Sequence, residues 1–172
     1  GDRLEKFPNS ARSEVINPLM HIISSKDSFW IIESKHALDP DSLFKTIYLT
    51  GNVIFNKYDN NQINEVKIVT TEAIIYPDDE IIETDKFATI VTPNSKTSGN
   101  GVIANMKKGQ IKILSNAKRL SVSDDRSEQL EGETMLYDLK KKTWVLLKKE
   151  MQDDKIKIKD RVKTILRTRK AE

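Results

Sequence analysis

The residues able to do chemistry in this chain of 172 residues are few and poorly placed for it. There are two histidines, His21 and His36, and no cysteine. That excludes disulfides, thiol catalysis and cysteine-based zinc sites, and no HExxH spacing joins the imidazoles to a glutamate. His36 follows Glu33 closely enough to act as a ligand or base, but both histidines read better as ordinary surface residues. Ser34, Ser98 and Ser115 lack the strand–turn–helix context that activates a serine nucleophile. The carboxylates Asp78-Asp79-Glu80 and Asp124-Asp125 fall in predicted turns, where aspartate is favoured for backbone reasons. A glycosidase-type carboxylate pair therefore has little behind it. Ser98-Gly99-Asn100-Gly101 precedes a strand rather than a helix, so it reads as a bend and not as a phosphate cradle. These features predict a protein that is not an enzyme and holds no metal and no cofactor.

What must be positioned is apolar. Ile47, Leu49, Val53 and Phe55 share one parity while Tyr48, Thr50, Asn52 and Asn56 share the other, the period-2 signature of a half-buried strand. β-branched residues dominate residues 63–71, and in the tail Ile156 and Ile158 alternate with Lys155, Lys157 and Lys159. Turn chemistry recurs at Asp39-Pro40-Asp41, Asp59-Asn60-Asn61, Pro77-Asp78-Asp79, Pro93-Asn94-Ser95 and Lys107-Lys108-Gly109. Residues 123–129 read as a longer polar loop or a short helical turn. No apolar run is long enough to cross a bilayer as a helix. Residues 1–13, polar and charged, read as a flexible segment without a signal peptide, and 14–172 as one domain.

An internal repeat organises that domain. Gly99–Leu114 aligns with Gly132–Leu147 at an offset of 33. Asn105-Met106-Lys107-Lys108 then matches Asp138-Leu139-Lys140-Lys141, Ile111 matches Trp144, and Ile113 matches Leu146. Ile75-Tyr76-Pro77-Asp78-Asp79 fits the same template. Each unit reads as strand, tight turn, strand, and one hairpin cannot bury its apolar face alone. The predicted fold is all-β: a twisted antiparallel double sheet of stacked hairpins, in the manner of a jellyroll, slab or open barrel, open at both ends.

Charge is uneven. From Leu139 onward there are 13 Lys/Arg against 5 Asp/Glu, in a chain whose net charge is only +3. Such a tail suits phosphates, nucleic acid or an acidic partner, or simply an edge strand guarded by lysines. Nucleic acid is disfavoured, because Trp144 is the sole aromatic beyond Tyr137 to interleave with the cations. A structural β module without ligand stays open, as composition cannot tell a packed core from a lipid groove.

The order of motifs resembles a family of transport proteins. Pro18, Trp30-Ile31-Ile32 and Ile47-Tyr48-Leu49-Thr50-Gly51-Asn52-Val53 are followed by Val69-Thr70-Thr71-Glu72-Ala73 and Ile82-Glu83-Thr84-Asp85. Gly99-Asn100-Gly101-Val102 and Ile113-Leu114-Ser115 complete the set. Over about residues 14–122 this is similar to the LptC members of the LptA/LptC/OstA-like lipopolysaccharide transport family, while Arg161–Leu166 looks like the closing strand of LptA. The resemblance implies a β-jellyroll in the periplasm that passes lipopolysaccharide along a protein bridge from inner to outer membrane. It also implies an amino-terminal inner-membrane helix absent from this chain. The acyl chains would lie against Trp30, Ile32, Ile47, Leu49, Val53, Phe55, Ile68, Ile75, Ile82, Ile90 and Ile113. Partners would add by edge strands: the inner-membrane Lpt transporter complex near Val15, Leu19 and Ile23, and an LptA-like bridge protein along Val162, Thr164, Ile165 and Leu166. Whether the carboxyl end docks as in LptC or as in LptA stays open.

Overall fold

The computed structural model describes residues 1–6, 11–25, 27–147 and 163–168. All the regular structure there is antiparallel strand. The strands are β1 (Arg3–Lys6), β2 (Ser13–Ile16), β3 (Leu19–Ser25), β4 (Ser28–Glu33), β5 (His36–Asp39), β6 (Ile47–Asp59) and β7 (Asn64–Tyr76). They continue with β8 (Ile81–Thr92), β9 (Ser95–Asn105), β10 (Gln110–Ser123), β11 (Arg126–Gly132), β12 (Thr134–Asp138), β13 (Thr143–Leu147) and β14 (Lys163–Thr168).

Five long strands, β6 to β10, pair in sequence order and form the body. Each would run straight but for a column of irregularities across its middle. The register breaks between Thr50 and Val53, Thr70 and Ile74, Thr84 and Phe87, and Ser115 and Lys118. Glycine and asparagine make the column possible: Gly51 (φ +79°), Asn52 (+49°), Gly101 (+73°) and Asn116 (+50°) take the left-handed conformation that bulges need. The bulges fold one continuous sheet into two leaves.

The ends of the stack follow the same division. The 47–50 half of β6 pairs with β5, which leads on to β2 and β1, while the 53–59 half pairs with β4, which leads to β3. At the other end, the first half of β10 pairs with β12 and then β13, and its second half with β11 and then β14. The first leaf is therefore β1-β2-β5, half-strands of β6 to β10, then β12-β13. The second is β3-β4, the other half-strands, then β11-β14.

The 33-residue repeat appears as stacked hairpins. β12 and β13 repeat the turn that joins β9 to β10, with Asp138 Oδ1 accepting from Lys140 and Lys141 N–H (both 2.9 Å) as Asn105 Oδ1 accepts from Lys108 N–H (2.8 Å). The turns are also stitched to one another. Met106 N–H donates to the Glu80 carbonyl (2.9 Å) and Leu139 N–H to the Gly109 carbonyl (2.9 Å).

Two readings need correction. Residues 3–6 are not linker: they form β1 and pair with Ser13–Ile16. Polar residues suffice there, because the backbone alone supplies an edge-strand ladder. Nor is there a longer loop or helical turn over 123–129. Asp124-Asp125 make a tight turn and β11 begins at Arg126.

Candidate functional site

Between the leaves lies one apolar cluster, and its rows can be read across the strands. In the first leaf the row runs Ile47, Ile75, Ile82, Ala104, Ile111, Tyr137, Trp144. In the second it runs Ile32, Phe55, Ile68, Ile90, Thr97, Arg119, Leu130. All eleven side chains expected against an acyl chain sit in this interior. Trp30, Ile32, Val53, Phe55, Ile75, Ile90 and Ile113 are wholly buried, and Leu49, Ile68, Ile82 and Ile47 nearly so. Alternation explains it: each is on the parity that faces the opposite leaf. The interior is filled by its own side chains, so an added chain can enter only where the leaves part.

Beyond the apolar rows, the leaves are tied together by charge. Lys57 continues the inward parity of Val53 and Phe55, and its ammonium meets the Glu65 carboxylate within the second leaf. Glu65 Oε1 is also 3.1 Å from Nζ of Lys142, on the β12–β13 turn of the first leaf. Burial by itself pushes the Glu65 carboxyl up, but hydrogen bonds and charge from Lys57 and Lys142 prevail and hold it below its ordinary value of 4.5. A depressed carboxylate stabilises the fold above the ordinary carboxylate range and loses that contribution as the pH falls through its folded-state pKa. Replacing Glu65 by Gln should lower stability at neutral pH by about 2 kcal/mol. It should also flatten the loss of stability between neutral and acid conditions, measured by urea unfolding at a series of pH values. A variant with an unchanged acid slope would show that the carboxylate does not tie the leaves.

The chemistry-bearing residues of the sequence come to little. His21 and His36 are exposed, on β3 and β5. Ser34 Oγ donates to the His36 carbonyl (2.9 Å) and Ser115 Oγ to the Asn100 carbonyl (3.3 Å), each serving the backbone. No group of three or more His, Cys, Asp or Glu able to hold a metal exists among the described residues.

The expected edge residues divide. Val15 is not on an open edge, because β2 is paired by β1 on one side and β5 on the other. The residues read as linker supply that second partner. Leu19 and Ile23 lie on β3, whose single partner among the described residues is β4, and they are 54% and 81% exposed. Thr164, Ile165 and Leu166 lie on β14, which pairs with β11 and has no second partner among the described residues. Val162 lies outside the described residues.

A fused pair of leaves around one apolar interior, with single-partner strands at both ends, has a known counterpart. The description "Lipopolysaccharide-assembly, LptC-related" matches residues 1–120. The chain belongs to the LptC-related family. It is thereby a component of the periplasmic bridge that transports lipopolysaccharide, a family whose members are transport proteins and not enzymes. Among solved structures it is similar to LptH of Pseudomonas aeruginosa, described as the LptA-homologous periplasmic component of the conserved lipopolysaccharide transport device. The TM-score is 0.56 at 13% identity, over 87% of this chain and 94% of that one. At that identity the likeness speaks for the fold alone. It reaches past the LptC-related match, which ends within β10, into the added hairpins. A search of curated proteins finds no match. No helix among the described residues is long and apolar enough to cross a membrane.

Proposed function

We propose that this member of the LptC-related family carries lipopolysaccharide by its acyl chains between the two leaves, without catalysis, and hands it on to partners paired at the stack's single-partner strands. The observation that carries this reading is the continuity of the inner rows. Apolar side chains follow one another from Ile47 to Trp144 across the first leaf, and from Ile32 to Ile90 across the second, where Thr97 and Arg119 then stand before Leu130. A packed core needs no such extension toward unpaired ends, whereas a conduit does. Exposed Leu19 and Ile23 on β3 suit the inner-membrane transporter, and the open side of β14 suits an LptA-like bridge protein. Tethering at the inner membrane fits a transporter docked beside β3.

The test is site-specific photo-crosslinking in transporting cells. A photoreactive residue at Leu49 or Phe55 should capture lipopolysaccharide, and one at outward-facing Tyr48 or Asn56 should not. Active transport with no adduct at either inner position would sink the assignment.

A further inference from the structure

Most of the polar side chains buried in the interior are spoken for. Thr70 Oγ1 donates to the Phe87 carbonyl (3.0 Å), Thr84 Oγ1 to the Glu72 carbonyl (2.6 Å), and Thr92 and Ser95 share a hydroxyl–hydroxyl bond (2.7 Å). Lys57 has Glu65. The indole N–H groups of Trp30 and Trp144 are buried without a partner, and so is one hydroxyl: Thr97 is 0% exposed and its Oγ1 has no hydrogen-bond partner. Directly across the strand pair stands Arg119, whose Nε is likewise buried without a partner. No carboxylate of the described residues pairs with that guanidinium. Two neighbouring unsatisfied donors, one of them charged, on the wall of an apolar interior are costly, and buried polar groups are rarely left so.

We propose that Thr97 and Arg119 form an anion subsite on the inner wall of the second leaf, which takes the phosphate of an acyl lipid whose chains lie along Ile32, Phe55, Ile68 and Ile90. This rests on the carrier reading above and adds a headgroup contact to it. The chemistry fits an acceptor with several oxygens: a guanidinium and a hydroxyl are both donors toward it, and Arg makes charge-assisted, bidentate bonds to phosphate. The row itself sets the polarity, since its four apolar members precede Thr97 and Arg119 in cross-strand order. Access is present. Arg119 borders a cleft of about 550 Å³ at the tip of the second leaf, shared with Asn94, Arg126, Asp124 and Glu128. Tyr137 of the opposite leaf is close enough to feel Arg119, whose charge opposes the effect of burial and of Glu65 on its hydroxyl.

The experiment measures binding of three probes to the purified chain below their micellar concentrations: dodecyl phosphate, neutral dodecyl maltoside, and inorganic phosphate. The chain should bind dodecyl phosphate roughly tenfold or more tighter than dodecyl maltoside, as expected for charge-assisted bonds. Arg119→Gln and Thr97→Val should each erode that preference while leaving dodecyl maltoside affinity unchanged. Thr97→Val, which removes an unsatisfied hydroxyl, should not lower the midpoint of urea unfolding. Equal affinity for the two amphiphiles, or an undiminished preference in both variants, would overturn the subsite and leave the carrier reading standing. Inorganic phosphate that binds alone and abolishes the preference would assign the site to free phosphate instead. Failure of both amphiphiles to bind would overturn the carrier reading and the subsite with it.

Discussion

Truncating Phe55 to alanine is expected to lower the stability of the chain by about 3–5 kcal/mol, the usual range for emptying a fully buried aromatic site. Phe55 is 0% exposed and stands between Ile32 and Ile68 in the inner row of the second leaf. Its neighbours are held by backbone ladders on both sides, so they cannot collapse far into the vacated space. The cavity left behind is apolar, and apolar cavities stay dry and accept apolar ligands. The carrier reading therefore adds a second expectation. A single-chain amphiphile should restore more stability to Phe55→Ala than to the unaltered chain, because binding to the native state alone is stabilising by mass action. Urea unfolding with and without dodecyl maltoside measures both. A loss under about 1 kcal/mol would mean that the leaves close freely over the gap, against the cavity expectation.

The second large effect concerns assembly and leaves the fold intact. Consecutive residues of an antiparallel strand direct their backbone groups to opposite sides. Of Thr164 and Ile165, one therefore points its N–H at β11 and the other at the open side of β14. Proline removes that donor. One of Thr164→Pro and Ile165→Pro should thus abolish capture of an LptA-like partner with the unfolding midpoint unchanged, and the other should detach β14 from β11. Both lose partner binding, but by different routes that hydrogen exchange of β11 amides separates. If both variants retain full partner binding, the carboxyl-end contact lies elsewhere. The open side of β13 on the first leaf is then the surface to examine, since β12 is its one partner among the described residues.

Much of this architecture was legible in the residues. Parity alone put Trp30, Ile47, Leu49, Phe55 and Ile113 on a common inner face, because side chains alternate across a strand without exception while the ladder runs regularly. The offset of 33 that aligned Ile111 with Trp144 and Ile113 with Leu146 is seen in space as two inner rows crossing β10, β12 and β13. Turn chemistry located the hairpins for the same local reason. Where local signals were weak, the reading failed. Residues 3–6 carry no apolar alternation, and their strand exists because β2 offers an unpaired edge. Residues 123–129 looked like loop because their composition is polar, yet β10 templates β11 through its backbone.

What the sequence determines by itself is therefore the all-β class, the inward faces and the stacking of like hairpins. These follow from short-range rules: alternation, turn propensity and repeat spacing. The tertiary structure decided the rest. The bulge column through Gly51, Gly101 and Asn116 folds one sheet into two leaves, which sets residues far apart in the chain face to face. That is what brings Lys142 to Glu65 and Arg119 within the field of Tyr137. It also leaves Thr97 and Arg119 side by side without partners, a pairing of neighbouring strands whose chemical consequence depends on everything that did not come to meet them.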